Sequence, residues 1–98
     1  MREIVERNPL DARARYFLAN ELFRAGEFAE AAEAYGEYLR LEPGDEGVGF
    51  RNHGLSLERT GRADDAAAAY RRGIEAASAR GHEGLAEEIR SLLRELEE

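Results

Sequence analysis

Residues 22–35, LFRAGEFAEAAEAY, return 35 positions later as LERTGRADDAAAAY over residues 57–70. Seven of the fourteen positions are identical in the two copies. They are Leu22, Arg24, Gly26, Ala31, Ala32, Ala34 and Tyr35, which fall on Leu57, Arg59, Gly61, Ala66, Ala67, Ala69 and Tyr70. A fixed period of about 20–50 residues is typical of repeat architectures. The chain is therefore predicted to contain two copies of one structural unit.

The composition favours an all-helical chain forming one domain over residues 1–98. The hydrophobic share is 43%, but much of it is alanine, and no alternating apolar pattern typical of strands occurs. No apolar run approaches the ~18 residues that a membrane span needs. The first residues lack the apolar core of a signal peptide, and the absence of cysteine excludes disulfides and thiolate metal sites. A cytoplasmic location is expected.

The charge argues against two classes of partner. The net charge is −7, and all 14 basic residues are arginine. An acidic chain repels nucleic acid and anionic lipid, so neither nucleic acid nor a membrane is expected as a partner.

Hydrophobic spacing and helix-ending residues predict the order of the helices. A short helix at residues 1–7 would end at Asn8-Pro9. Asp11 is a plausible N-cap for the next helix, Gly26 supplies the turn after it, and Ala14, Leu18, Leu22 and Ala25 form its apolar stripe. The longer helices are predicted over residues 12–25, 28–41, 48–60, 63–80 and 83–97. Repeat 1 would then span residues 12–45 and repeat 2 residues 47–80.

The two copies resemble the tetratricopeptide repeat, whose period is about 34 residues. The resemblance covers residues 12–80 and includes Ala19 and Gly54, small residues that let the paired helices approach. Tyr35 and Tyr70 would fill the space left between those helices. The resemblance implies a short right-handed α-solenoid. The helix at residues 83–97 would then cap the second repeat through Leu85, Ile89, Leu92, Leu93 and Leu96.

Some positions depart from the family pattern. Arg15, His53, Ala63 and Ser78 stand where the family prefers other residues. Arg15 would be tolerable if the first repeat lies at the open end of the stack. Pentatricopeptide repeats, which read RNA, have a similar period but need many repeats and a basic groove. Two repeats and a net charge of −7 argue against that family.

Catalytic and metal-binding constellations are not apparent, so the chain is expected to be neither an enzyme nor dependent on a cofactor. His53 and Ser56 are three residues apart on one helix, but no third residue orients the imidazole. The two histidines lack the spacing of a metal site. The glycine-rich residues 44–49 resemble a phosphate loop only superficially, because no Lys-Ser/Thr follows, and they are interpreted as an inter-repeat turn.

In the resembled family, the first helices of successive repeats line a groove. Apolar pairs seven residues apart, Tyr16 with Phe23 and Val48 with Leu55, would each share one helix face. The resemblance thus predicts a peptide-binding surface formed by Arg13, Tyr16, Asn20, Phe23, Arg24, Val48, Arg51, Asn52, Leu55 and Arg59.

The predicted groove carries more arginine than acid, within an acidic protein, which favours an acidic peptide partner. Asn20 and Asn52 match the two asparagines with which some family members grip a peptide carboxylate, but Tyr16 replaces the first lysine of that set. Two alternatives stay open. The arginines could pair instead with Glu21, Glu27 and Glu58. The chain could also be a structural module that forms a homodimer through its exposed ends, without a peptide ligand.

Overall fold

The computed structural model describes residues 11–98, and the short helix predicted at residues 1–7 lies outside this part. The described part contains five α-helices and no strand, so the all-α prediction is confirmed. The helices are α1 (Ala12–Arg24), α2 (Phe28–Leu41), α3 (Val48–Arg59), α4 (Ala63–Ala79) and α5 (Glu83–Glu97). Three predicted helices were one residue too long, because Ala25, Thr60 and Arg80 are C-caps rather than helical residues.

The turns inside the two repeats have the same geometry. Gly26 and Gly61 both have φ of +79°, a left-handed conformation that glycine adopts without strain. The next residue in each turn donates its amide to a leucine carbonyl in the preceding helix, Leu22 or Leu57, at 2.9 Å in both cases. This hydrogen bond satisfies a carbonyl that the helix end would otherwise leave unpaired. The identical residues of the period thus form identical turns.

Each pair of helices packs closely at a small residue. Ala19 in α1 and Gly54 in α3 are buried, as predicted, and Tyr35 and Tyr70 have no exposed surface. A Cβ placed on Gly54 would lie only 2.4 Å from Cε1 of Tyr70. The second repeat therefore has room for glycine alone where the first accepts alanine.

Successive helices pack in chain order, and α5 also contacts α3. Ile89 of α5 is completely buried in a cluster with Leu57 and Tyr70, and Leu85, Leu92, Leu93 and Leu96 pack against this cluster. The last helix therefore covers the second repeat, as expected. One detail of the predicted stripe on α1 was wrong: Ala25 is exposed, because α1 ends at Arg24.

Asp45 organises the turn between the repeats. Its Oδ1 accepts hydrogen bonds from the amides of Gly47 at 2.8 Å and Gly49 at 2.9 Å. Its Oδ2 accepts one from the Tyr38 hydroxyl at 2.6 Å. The carboxylate thus satisfies amides at the start of α3 and ties α3 to α2. Residues 44–47 of the glycine-rich stretch lie in the inter-repeat turn, as predicted, whereas Val48 and Gly49 already belong to α3.

Candidate functional site

The Tyr35 hydroxyl links predicted site residues of two different helices. It donates a hydrogen bond of 2.6 Å to Oδ1 of Asn20 in α1. It also interacts with the side chain of Asn52 in α3, and that hydrogen bond favours the ionised tyrosine. The Asn52 amide is therefore the donor in this contact. Burial nevertheless dominates and raises the pKa of Tyr35 to about 12, so the hydroxyl is neutral at physiological pH.

Arg51 extends this chain of hydrogen bonds to the last helix. Its Nε donates to Oδ1 of Asn52 at 3.1 Å, while its Nη1 lies 3.2 Å from Oε1 of Glu88 in α5. Glu88 is exposed, and it pairs with Arg51. A series of interacting polar side chains therefore runs from Glu88 through Arg51, Asn52 and Tyr35 to Asn20. We call this series the polar chain, and it connects α5, α3, α2 and α1.

Two predicted aromatic residues of α1 lie on either side of Tyr35. The Tyr16 ring is 6.2 Å from the Tyr35 ring and 4.7 Å from the Tyr38 ring, measured between centroids. The Phe23 ring is 6.5 Å from Tyr35 and 5.3 Å from Phe28 in edge-to-face geometry. Such pairs stabilise an interface by about 0.5–1.5 kcal/mol beyond area burial. Tyr16 and Phe23 are half-buried, so each keeps part of its ring accessible.

The arginines near the carboxyl ends of α1 and α3 have different partners. Arg59 places its Cζ 5.0 Å from the centroid of the Phe28 ring, a cation–π contact. Within residues 11–98, no carboxylate forms an ion pair with Arg59. The neighbouring Glu58 accepts a hydrogen bond from the Tyr70 hydroxyl. Arg24 pairs with Glu21 at 2.7 Å, as the alternative interpretation expected, although both side chains are exposed. Arg13 is 94% exposed and lies 3.7 Å from Asp11.

A cavity of about 840 Å³ lies near the start of α3, and two predicted site residues, Tyr16 and Val48, share its wall. Its other lining residues are Tyr38, Glu42, Gly44, Asp45, Glu46, His82, Gly84 and Leu85. His82 Nε2 lies 2.6 Å from Oε1 of Glu46, and this hydrogen bond lowers the pKa of Glu46. The cavity is therefore acidic, and it lies beside the N-terminal turns of α1 and α3. Arg24 and Arg59 lie in the last turns of the same two helices.

Leu55 has a different position from the other predicted residues. It packs against the core cluster that contains Ile89 of α5, so it helps to attach the last helix.

Four groups that contribute to this surface were not predicted from the sequence. They are the Tyr35 hydroxyl, Phe28, Tyr38 and Glu88. The spacing of Tyr35 and Tyr38 by three residues on α2 was the one available signal, since buried tyrosines usually need a partner for the hydroxyl.

The side chains of this surface offer hydrogen-bonding groups and partly exposed aromatic rings. Ser56, considered with His53 as a catalytic pair, is completely buried and donates to the Asn52 carbonyl at 2.9 Å. Across residues 11–98, no group of three histidine or acidic side chains is arranged to hold a metal ion. In the same part of the chain, no helix is long and apolar enough to cross a membrane.

The helix pairs stacked in chain order define a helical-repeat solenoid, and comparison with known proteins agrees. A sequence model of the tetratricopeptide repeat family matches residues 1–46. The solution NMR structure of a tetratricopeptide repeat domain protein from Salinibacter ruber is similar, with 29% sequence identity and a TM-score of 0.77. That match covers 92% of this chain and 90% of the other. A search of curated proteins finds no match.

The match to the family model and the structural similarity confirm the resemblance to the tetratricopeptide repeat family that the sequence showed. Proteins of this family generally act in protein–protein interaction and are generally non-catalytic. The fold therefore supports a protein-interaction scaffold.

Proposed function

We propose that the chain binds a peptide segment of a protein partner along the surface formed by α1 and α3, and that the peptide is acidic. The observation that carries this proposal is the polar chain centred on Tyr35. It fixes asparagine side chains from both helices around one buried hydroxyl. A ligand crossing from α1 to α3 would meet these side chains.

The direction of the hydrogen bonds determines which ligand groups fit. Asn20 uses Oδ1 to accept from Tyr35, which leaves its Nδ2 group as a donor. Arg51 and Asn52 are also donors at this surface. A row of donors suits ligand acceptors, namely peptide carbonyls and carboxylates. Because the donors are already held by protein contacts, little side-chain entropy is lost when a peptide binds.

Apolar contacts would complete the site. Tyr16 and Phe23 are seven residues apart on α1, about 10 Å along the helix axis, and each keeps part of its ring accessible. Side chains of an extended peptide could therefore rest on both rings while its backbone contacts Asn20 between them. Tyrosine and phenylalanine are suited to such contacts because they offer large rigid surfaces at a low entropic cost.

Charge would orient the peptide. Arg59 has no carboxylate partner in the described chain. Arg24 pairs only with Glu21, and because this pair is exposed, a carboxylate of the ligand could take the place of Glu21. The cavity beside Tyr16 and Val48 carries the carboxylates Glu42, Asp45 and Glu46 instead. Acidic ligand residues would therefore lie towards Arg24 and Arg59, away from this cavity.

A direct test uses synthetic peptides of mixed glutamate and leucine residues, labelled for fluorescence anisotropy, with lysine-for-glutamate versions as controls. The acidic peptides should bind, and added salt should weaken the affinity because the charges are close to solvent. Arg59→Gln should weaken binding about fivefold. Arg71→Gln removes the same charge from α4, where the arginine pairs with Glu97, and should leave binding unchanged.

The proposal fails if acidic and basic peptides bind equally. It also fails if Arg59→Gln and Arg71→Gln have the same effect.

Self-association is the second candidate, and one observation favours it. Phe17 on α1 is 54% exposed and is the large hydrophobic residue with the greatest exposure in the described chain. Sedimentation velocity over a range of concentrations would show a dimer, and Phe17→Ser should then dissociate it. A monomer at every concentration would remove this candidate.

A further inference from the structure

A second cavity, of about 600 Å³, lies between α2, α3 and α4, and none of the residues proposed to contact a peptide lines it. Its apolar lining includes Ala32, Phe50 and Leu57. Its polar lining consists of His53 together with Glu33, Glu37, Arg40, Arg62, Asp65 and Arg72. The cavity is therefore a site of mixed character, separate from the surface of α1 and α3.

His53 is the central polar group of this cavity. Its imidazole is half-buried and has no hydrogen-bond partner within residues 11–98. The ring lies over Gly36 of α2, where an added Cβ would be 3.5 Å from Nε2. The helices thus leave room for the ring and place its nitrogens at a cavity rather than against a protein acceptor. A neutral imidazole can both donate and accept a hydrogen bond, so a ligand could use either nitrogen.

The charged residues around His53 are only partly neutralised by one another. Arg62 pairs with Asp65 at 2.7 Å, and Arg15, from outside the cavity, pairs with Glu37. Glu33, Arg40 and Arg72 then remain without an ion-pair partner in the described chain.

Arg72 is nonetheless held in place, because its Cζ lies 4.8 Å from the centroid of the Phe50 ring. Once the paired charges are set aside, the cavity has two arginines against a single glutamate.

We propose that this cavity is a second binding site, which takes an oxyanion, either a carboxylate or a phosphate group, between His53, Arg40 and Arg72. Guanidinium groups hydrogen-bond to both kinds of oxyanion through a planar fork. The imidazole would add a third donor. The apolar wall around Phe50 and Leu57 would exclude water from one side of the contact and strengthen it.

The charges also make this binding sensitive to pH. Burial lowers the pKa of His53, the nearby Arg62 and Arg72 lower it further, and Asp65 acts in the opposite direction. The remaining charged groups at the cavity are Glu33, Glu37 and Arg40. A bound anion would offset the arginine charges and favour the imidazolium form. By linkage, the anion should therefore bind more tightly as the pH falls through the pKa of the bound protein.

The test is an NMR titration of the histidine ring protons of the whole chain, with inorganic phosphate and with acetate as probes. His82 is the internal control, since it is exposed and pairs with Glu46 on the other cavity. Saturable shifts of His53, with a higher His53 pKa when phosphate is present, would support the proposal. A response to phosphate but not to acetate would assign the site to phosphate groups, and a response to both would assign it to oxyanions in general.

Matched variants separate this site from general charge effects. Arg40→Gln should weaken phosphate binding about fivefold, because it removes an unpaired arginine from the cavity. Arg71→Gln makes the same change of charge outside the cavity and should have no effect. The proposal is overturned if neither probe shifts His53, if His53 and His82 shift alike, or if both variants weaken binding equally. None of these results depends on whether the surface of α1 and α3 binds a peptide.

Discussion

Gly54 shows how one residue sets the distance between two helices. Its position corresponds to Ala19 in the first repeat, yet a Cβ on Gly54 would overlap the Tyr70 ring at 2.4 Å. Gly54→Ala should therefore force the ring or the helices apart and destabilise the protein by about 1–3 kcal/mol. Gly84→Ala is the matched control, since nothing lies within 4 Å of its added Cβ, and it should be neutral or slightly stabilising.

Denaturant unfolding of both glycine variants measures the difference. Equal stabilities for Gly54→Ala and the parent chain would mean that α3 and α4 are not in close contact at this point.

We expect a loss of stability at alkaline pH, because three buried or half-buried tyrosines have raised pKa values. Burial raises the pKa of Tyr35 to about 12, and burial together with hydrogen bonds to Asp45 and Glu58 raises the pKa of Tyr38 and Tyr70. The folded state then holds these protons more tightly than the unfolded chain, whose tyrosines titrate near pH ~10. This contribution is fully present below about pH 10 and is lost as the pH rises through the raised pKa values.

Urea unfolding at about pH 8 and about pH 11 would measure that loss. Tyr70→Phe keeps the ring but removes its titration, so the variant should lose less stability between the two pH values. The absorbance of tyrosinate is followed in a Tyr16→Phe background, so that only these three tyrosines contribute. A rise near pH ~10 while that chain is still folded would contradict the assignment.

The last helix, α5, has no counterpart in the 35-residue period, yet several of its side chains pack against the core. Ile89 is completely buried, and truncation after Gly81 would remove it together with Leu85, Leu92 and Leu96. Ile89→Ala alone should cost about 2–5 kcal/mol, a large part of the ~5–15 kcal/mol stability of a typical domain. The truncated chain should therefore unfold or aggregate.

Thermal melting followed by circular dichroism tests this expectation, with Glu95→Ala as an exposed control on the same helix. A soluble truncated chain with the parent melting temperature would show that α5 does not contribute to the core.

Some of the contacts between helices could be predicted from the sequence, and others could not. The resemblance of the two copies to the tetratricopeptide repeat predicted Ala19, Gly54, Tyr35 and Tyr70 as packing positions, and the structure buries all four. The contact of Arg51 with Glu88 could not be predicted in this way, since α5 has no counterpart in the period and its angle depends on packing. The same holds for the hydroxyl of Tyr35, whose partners Asn20 and Asn52 are 15 and 17 residues away and meet only when three helices are in register.

At the scale of the whole molecule, the charge is unevenly distributed within a chain of net −7. Arg24 and Arg59 lie near the carboxyl ends of α1 and α3, where basic side chains also interact favourably with the helix dipoles. The acidic cavity with Glu42 and Glu46 lies near the start of α3. The counts of arginine and glutamate in the sequence indicated an excess of arginine, but the separation of charge between the two ends required the structure.

The most direct test of peptide binding to α1 and α3 is an NMR titration of the isotopically labelled chain with the acidic glutamate–leucine peptide. We expect saturable changes in the side-chain amides of Asn20 and Asn52 and in the Nε signal of Arg59, since these groups would contact the peptide. Signals from the exposed side of α4, such as Arg71, should stay in place. Changes confined to α4 and α5, with Asn20 and Asn52 unaffected, would contradict peptide binding at α1 and α3.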